Sequence, residues 1–377
     1  MFQPLTEIEL TSLKNFKYIG HDDSIIYNYL VSPSLNLIIE YNLIPLWLAP
    51  NLITILSLIF NIIGFLFVII ECKNDFSKKL SPISTFIITI SHYLYIIFDN
   101  LVGKQARRTN TSSSFGMLLD HGCDVFTNIC ILFNISHLLR IGNDNIYIDL
   151  FIITLLVGFY YMTYEEYALG ELYLGYFNGA DEGNFIVATG SLFGLIFGND
   201  IWIYKLNFFG FIITLGQFIF ILVFIGSLLT CSLSCLFKIL FRKGFIKFLV
   251  CLYDSILFYN VFIFPAFYLY FNKDGYNNYL SFIMITVSLL YARITIELHI
   301  TICTLKKIQF NYDIYIANFI ISINYFIYNN LFLLFSLTMT SILLGIYLIG
   351  FIYIRGNEIL NYLNINLLTI KKKKKII

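Results

Sequence analysis

The sequence predicts an all-α integral membrane protein, with about ten transmembrane helices in one bundle and an active site facing the cytoplasm. Three observations predict it. Of 377 residues, 58% are hydrophobic and only 12% charged, and mean hydropathy is +0.78; a soluble domain carries about 25% charged residues. The apolar runs are continuous and helix-length, unlike the alternating segments of about ten residues that build a barrel, and a backbone in lipid must satisfy its own hydrogen bonds. Finally, charge gathers in one stretch, Asp99 to Asp124 (DNLVGKQARRTNTSSSFGMLLDHGCD), between two apolar runs. Charge at a membrane span is costly and marks a functional site.

Residues 1–41 read as a cytoplasmic amphipathic segment, with Leu10, Leu13, Phe16 and Tyr18 opposed to Lys14 and Lys17. A loosely packed cap fits the same residues equally well. The polar start MFQPLTEIEL predicts no cleavable signal peptide. Residues 42–356 read as one polytopic domain. A span needs about 20 apolar residues, and candidates lie near 45–70, 82–102, 115–139, 146–168, 184–199, 206–230, 247–271, 278–302, 314–329 and 331–354. Residues 357–377 form a Lys-rich tail.

Counting from a cytoplasmic N-terminus, the connections after even-numbered spans hold Lys104, Arg107 and Arg108, then Lys238, Arg242, Lys243 and Lys247, then Lys306 and Lys307. The odd connections hold fewer cations. Positive charge favours the cytoplasmic side, so both termini and the Asp99–Asp124 stretch are expected there. The acidic connection 165–183 (EEYALGELYLGYFNGADEG) falls on the same face. Net charge is +1, which gives nucleic-acid binding no electrostatic support. The seven cysteines include no CxxC pair, so neither a disulfide framework nor a zinc site is expected.

Asp120 and Asp124 are four apart and share a helix face. Asp99 ends the preceding span, and two antiparallel helices would bring it opposite that pair. Three carboxylates at a membrane edge cannot all stay ionised without a partner. Hard oxygen ligands suit Mg²⁺, Mn²⁺ or Ca²⁺. The intervening Lys104, Arg107 and Arg108, with small residues around them, suit a phosphate. His121, beside Asp120, has the chemistry of a general base near neutral pH. Each feature has a plainer explanation: a topogenic basic loop, a packing histidine, a solvated helix start. Their concentration at one membrane face is what argues against all three.

The spacing resembles the signature of CDP-alcohol phosphotransferases, D-x2-D-G-x2-A-R-x8-G-x3-D-x3-D, here Asp99, Gly103, Ala106, Arg107, Gly116, Asp120 and Asp124. GKQARRTN and DHGCD resemble the eukaryotic choline/ethanolamine phosphotransferase branch, as do WLAPNLIT (Trp47–Thr54) and the Tyr164–Gly183 connection. The similarity is strong over roughly 5–185. It implies attack of a diacylglycerol hydroxyl on a CDP-choline or CDP-ethanolamine phosphate within the lipid bilayer, with CMP leaving. It implies Mg²⁺ or Mn²⁺ held by Asp99, Asp120 and Asp124, and His121 as the base, with Asp124 also counted as catalytic. Substrate-binding roles pass to Gly103, Ala106, Arg107, Gly116 and Asn51, with Glu165, Glu166 and Glu182 as weaker candidates for the alcohol end or the outer metal shell. A homodimer is also implied, though the sequence marks no interface.

The chain departs from the signature at Val102, where the family has a fourth metal-binding aspartate. That departure motivates an alternative: a non-catalytic homologue that binds nucleotide or lipid without turnover. A transporter would spread its charges around a midplane site, and here they concentrate at one face. The tail ends Lys374-Lys375-Ile376-Ile377, resembling a dilysine signal for the endoplasmic reticulum; a Golgi location or attraction to anionic lipid headgroups fits the same lysines. Arg293 and Glu297, four apart in the eighth span, are expected to pair, whereas Asp254 has no partner visible in the sequence.

Overall fold

The computed structural model describes residues 3–73, 75–143, 145–208, 210–259, 273–308 and 330–370. The chain is mostly helical. A capping box formed by Thr6 and Glu9 opens α1 (Glu7–Asn15), and β1 (Gly20–Asp22) follows. A π-turn at Tyr27–Val31 leads into α2 (Ser32–Glu40). Three long helices follow: α3 (Pro50–Cys72), α4 (Pro82–Arg108) and α5 (Ser114–Leu138). Next come α6 (Asn145–Leu169), β2 (Leu172–Leu174), a π-turn at Gly179–Gly183 and α7 (Asn184–Phe197). The hairpin β3 (Lys205–Phe208) and β4 (Phe211–Thr214) precedes α8 (Leu215–Ser227) and α9 (Ser234–Lys243). The last described helices are α10 (Phe245–Tyr259), α11 (Lys273–Thr304) and α12 (Asn330–Leu363).

Among the described residues, six helical stretches are long and apolar enough to cross a membrane: α3, α4, α5, the continuous Leu215–Lys243, Phe282–Thr304 and Thr338–Leu363. Their faces are arranged for lipid. On α3 the inward stripe is Ile53, Thr54, Ser57, Asn61, Gly64, Val68 and Cys72, at helical spacing, and much of it is polar. Ile59, Ile63, Leu66, Phe67 and Ile70 point outward. Water would penalise that apolar outer face, whereas a bilayer accepts it. Interior contacts then rest on close packing and buried polar groups. A Cβ on Gly64 would meet Asn134 at 3.2 Å and Ser91 at 3.3 Å, so this glycine lets α3, α4 and α5 approach.

The core of the bundle is α3 packed along α4 and α5, with α7 against α4, and α11 against α5, α6 and α12. The N-terminal segment is tied to this core. β1 pairs in parallel with β2. The Glu182 carboxylate accepts from Ser24 Oγ (2.8 Å), the Ile26 N–H (3.1 Å) and the Asn178 N–H (3.1 Å). Lys306 pairs with Glu9 at 2.5 Å. Residues 1–41 are therefore built into the protein from residue 3 onward, with Leu13 fully buried.

Two sequence expectations change. The cationic stretch Lys104–Arg108 is helical rather than loop: α4 runs to Arg108 and closes with Asn110 at φ 54 and Thr111 N–H bonded to Ala106 O. That left-handed residue is what ends the helix. Likewise, the apolar run expected over 206–230 begins as a hairpin, with Gly210 at φ 88 in its turn. A capping box of Thr214 and Gln217 then starts the helix at Leu215. It continues to Lys243, because Lys238 and Arg242 pair with Glu165 and Glu171 instead of ending the span. The span expected at 314–329, much of that expected at 247–271, and the lysine tail lie outside the described residues.

Candidate active site

Five residues, Thr109–Ser113, reverse the chain between α4 and α5. The Ser113 side chain accepts from the Gly116 N–H at 3.1 Å and fixes the start of α5. This tight turn sets the last turns of α4 against the first turns of α5. Asp99 and Asp124 come into hydrogen-bond contact, and Asp120 lies beside Asp99. Thr54 Oγ1 of α3 donates to Asp120 at 3.0 Å, and Tyr95 Oη of α4 donates to Asp124 at 3.0 Å. Among the described residues no cation pairs with any of the three. Three converging carboxylates without a counter-ion are the donor set of a hard divalent cation.

The basic residues of α4 divide sharply. Lys104 donates to Ser32 Oγ (2.9 Å) and Asn36 (2.8 Å), and Arg108 to Ile44 O (2.7 Å) and Asn42 (2.5 Å). Gln105 holds Pro45 O and Leu48 O. These bonds fasten α2 and its following loop to α4. Arg107 is exposed and, among the described residues, makes no such bond. Its guanidinium lies over Gly103, where a Cβ would sit 3.4 Å from Nη1. Gly116 faces Asn51, whose Oδ1 would be 3.5 Å from an added Cβ. Ala106, half-buried, lies on the last turn of α4 beside Arg107.

Val102 is buried, and it packs in an apolar cluster with Ile53, Ile96, Leu101 and Ala188. The fourth aspartate position of the signature thus contributes no oxygen. The three aspartates fit one hard cation and leave a second short of ligands.

His121 faces another way. Consecutive helix residues point about 100° apart. Asp120 and Asp124 turn toward α3 and α4, whereas His121 turns toward α6 and α11. Its ring centroid is 4.9 Å from that of His299, and its ligand atom and those of Glu166 and His299 all lie within 4.8 Å of one another. The Tyr18 ring meets His121 edge-on at 5.8 Å. Burial of the hydroxyl end and then the charges of Glu166, Asp120, Asp22 and Asp124 push the Tyr18 hydroxyl above its ordinary range.

Glu165 and Glu182 are engaged elsewhere. Glu165 accepts from Lys238 Nζ at 2.8 and 3.0 Å, and Glu182 holds the N-terminal segment. Asp181, next to Glu182, is buried; that burial and the nearby Asp22 and Asp99 raise its carboxyl to about 8. The expected Arg293–Glu297 pair forms at 2.8 Å, and Asp254 accepts from Tyr164 Oη at 2.6 Å. Sequence reasoning gave no site role to Thr54, Tyr95, Tyr18 or His299, naming Tyr18 only for the amphipathic N-terminal segment and Thr54 only as the end of the WLAPNLIT stretch. Tyr95 lies four before Asp99, and Thr54 three after Asn51, so helical spacing alone could have found those two.

The model of the CDP-alcohol phosphatidyltransferase family matches residues 47–241, more than half of the chain. The chain belongs to that family. The match starts at the Trp47 lead-in to α3 and runs through α9, past the residue near 185 where the similarity was expected to fade. Among similar proteins, an uncharacterized class-I member of the family from Dictyostelium discoideum is 32% identical over 266 residues, 68% of this chain and 62% of its own length. Choline/ethanolaminephosphotransferase 2 of Arabidopsis thaliana is 33% identical over 201 residues, 51% of this chain and 48% of its own. Choline/ethanolaminephosphotransferase 1 of Saccharomyces cerevisiae is 31% identical over 201 residues, 53% and 50%. The chain thus spans between 48% and 62% of the length of these relatives.

Proposed function

We propose that this chain transfers phosphocholine or phosphoethanolamine from a CDP-alcohol to diacylglycerol, forming phosphatidylcholine or phosphatidylethanolamine and releasing CMP. One observation carries the proposal. Asp99, Asp120 and Asp124 converge without a cationic partner among the described residues, and about two turns beyond Asp99 the same helix presents an exposed, uncommitted Arg107. Relatives named as choline/ethanolaminephosphotransferases support the choice of alcohol.

The three aspartates would hold Mg²⁺ or Mn²⁺, which when bound neutralises phosphate charge and polarises phosphorus toward attack. Arg107 donates to the diphosphate oxygens, with a geometry suited to two parallel bonds. Gly103, Ala106 and Gly116 leave room for the nucleotide, and Asn51 borders Gly116. Thr54 and Tyr95 hold Asp120 and Asp124 in place. His121 takes the proton of the diacylglycerol hydroxyl, which approaches from the α6 and α11 side. Glu165 and Glu182 shape the alcohol end by holding the 170–183 connection. The reading places this site at the cytoplasmic face of an endoplasmic reticulum or Golgi membrane, in a bundle of about ten spans.

A second reading is a non-catalytic homologue, favoured by the burial of Val102 among apolar side chains. Purified full-length protein in detergent, given diacylglycerol and Mg²⁺ or Mn²⁺, separates the two. CMP release from one CDP-alcohol, absent in Asp124→Ala, supports transfer. CDP-alcohol binding with no release from either nucleotide supports the second reading.

A further inference from the structure

We propose that His121, Glu166 and His299 form a second cation site, separate from the three aspartates, for a transition metal of the zinc type. The donors come from α5, α6 and α11, and all three ligand atoms lie within 4.8 Å of one another. Glu166 is 3% exposed and His299 2% exposed, while half-buried His121 forms the open side.

The hydrogen bonds fix which atoms are available. Thr163 Oγ1 donates its proton to Phe159 O at 3.0 Å, so toward His299 Nε2, 3.5 Å away, it can only accept. That places the ring proton of His299 on Nε2 and leaves Nδ1 with a bare lone pair. Nδ1 of His299 is buried and has no hydrogen-bond partner among the described residues, and the same holds for Nδ1 of His121. The far N–H of a metal-bound histidine usually donates to a carboxylate, a carbonyl or water, and here the Thr163 hydroxyl oxygen takes the place of that acceptor. The buried Glu166 carboxylate adds a negative charge that two neutral rings cannot offset. Cys303, one turn beyond His299 on α11, lies within range of the Glu166 charge and adds a soft group nearby.

Two imidazoles and one carboxylate, with a fourth position open, are the donors of catalytic zinc centres. Mg²⁺ prefers oxygen and retains its water, so the two clusters would select different ions. Zinc bonds of 2.0–2.1 Å put tetrahedral ligand atoms about 3.3 Å apart, a contraction that side-chain rotation supplies. The cysteines alone predicted no zinc site; these donors are a histidine and a glutamate 45 positions apart and a second histidine far beyond them in the sequence. Occupancy would also take the nitrogen that the proposed transfer uses as base, so zinc would inhibit transfer without competing with Mg²⁺. That last consequence alone rests on the proposed function.

The test loads chelator-stripped full-length protein with Co²⁺ or Zn²⁺ in saturating Mg²⁺. Metal retained after gel filtration is then counted, and the visible absorption of Co²⁺ is recorded. One retained equivalent with tetrahedral cobalt bands is expected. It should be lost in Glu166→Gln, an isosteric change, and in His299→Asn, with the folding of both checked by melting temperature, and kept in Asp124→Ala. No retained metal in the wild type, retention in both cluster variants, or loss in Asp124→Ala would overturn the site whether or not the protein turns over. Zinc inhibition abolished by His299→Asn is the further expectation if transfer is observed.

Discussion

Two sets of carboxylates share one end of this bundle, and they are treated in opposite ways. Glu165, Glu171 and Glu9 each meet a cation, and Glu182 accepts three hydrogen bonds. Asp99, Asp120 and Asp124 meet hydroxyls and one another instead. A charge removed from water needs a partner. The first set has its partners within the fold and serves to hold it. The second set has been gathered without one among the described residues, an arrangement that suits an external hard cation. The cations of α4 repeat the division, since Lys104 and Arg108 are spent on α2 and its loop while Arg107 is left free.

The largest expected break in this comparison is Asp124→Ala. It should lower CMP release by about a thousandfold or more, the scale of losing a group aimed at developing charge, while leaving the melting temperature equal or higher, because a repulsive carboxylate is gone. A variant that loses stability and keeps activity would move Asp124 into the structural set. Glu165→Gln should do the reverse. It removes the charge opposite Lys238, which keeps its bond to Tyr173 O at 3.1 Å, and should cost about 1–3 kcal/mol of stability, read by thermal unfolding in detergent, with a smaller effect on turnover. Arg107→Ala should raise KM for the CDP-alcohol by about 10- to 100-fold, the worth of a charged hydrogen bond, with melting unchanged.

Asp181 lies on the boundary between the sets. Its carboxyl is raised to about 8, first by burial and then by Asp22 and Asp99, so in the fold it is neutral at pH 7. A raised carboxyl contributes stability that is complete below its unfolded value, near 4, and is lost as pH climbs through the folded value. Melting temperature in chelator should therefore fall as pH rises from about 4 towards 8 and level off above it, and Asp181→Asn should flatten that slope. A profile identical in the two proteins would remove Asp181 from the buried cluster.

Much of this was legible in the sequence, for identifiable reasons. The three aspartates and Arg107 follow a helical period across a short turn, so spacing alone places them together. The Arg293–Glu297 pair was legible for the same reason. His299 and Tyr18 were not, because their contacts to His121 join segments far apart in the chain. The helical continuation through Lys104–Arg108 was also hidden: cations between apolar runs read as loop, whereas Asn110 stops the helix two residues later. His92 and His137 show why one histidine signal is weak. Both are buried in the bundle; His137 is stacked on Phe76 at 4.0 Å with Asp75 as its one acidic neighbour among the described residues, and neither belongs to a cluster of three possible ligands as His121 does with Glu166 and His299.

The smallest effect is expected at the other end of the bundle. There Asp200 bridges Lys79 at 2.5 Å and Arg140 at 3.1 Å, but its own side chain is 64% exposed. Hydrogen bonding to Lys79 lowers its carboxyl, so the pairing persists in mild acid. Exposed ion pairs are screened and offset by side-chain ordering, and the hairpin and loop they join are also held by Asn199, which donates to Leu80 O at 3.1 Å and Thr85 Oγ1 at 2.6 Å. Asp200→Asn should thus leave CMP release unchanged and melting within error at moderate salt. The two ends would then differ in kind: pairing near water makes a carboxylate dispensable, and gathering without a partner makes it indispensable. A clear loss of activity in Asp200→Asn would instead require the far end to communicate with the aspartates along α4, whose N-terminus is capped by Ser81 beside this network.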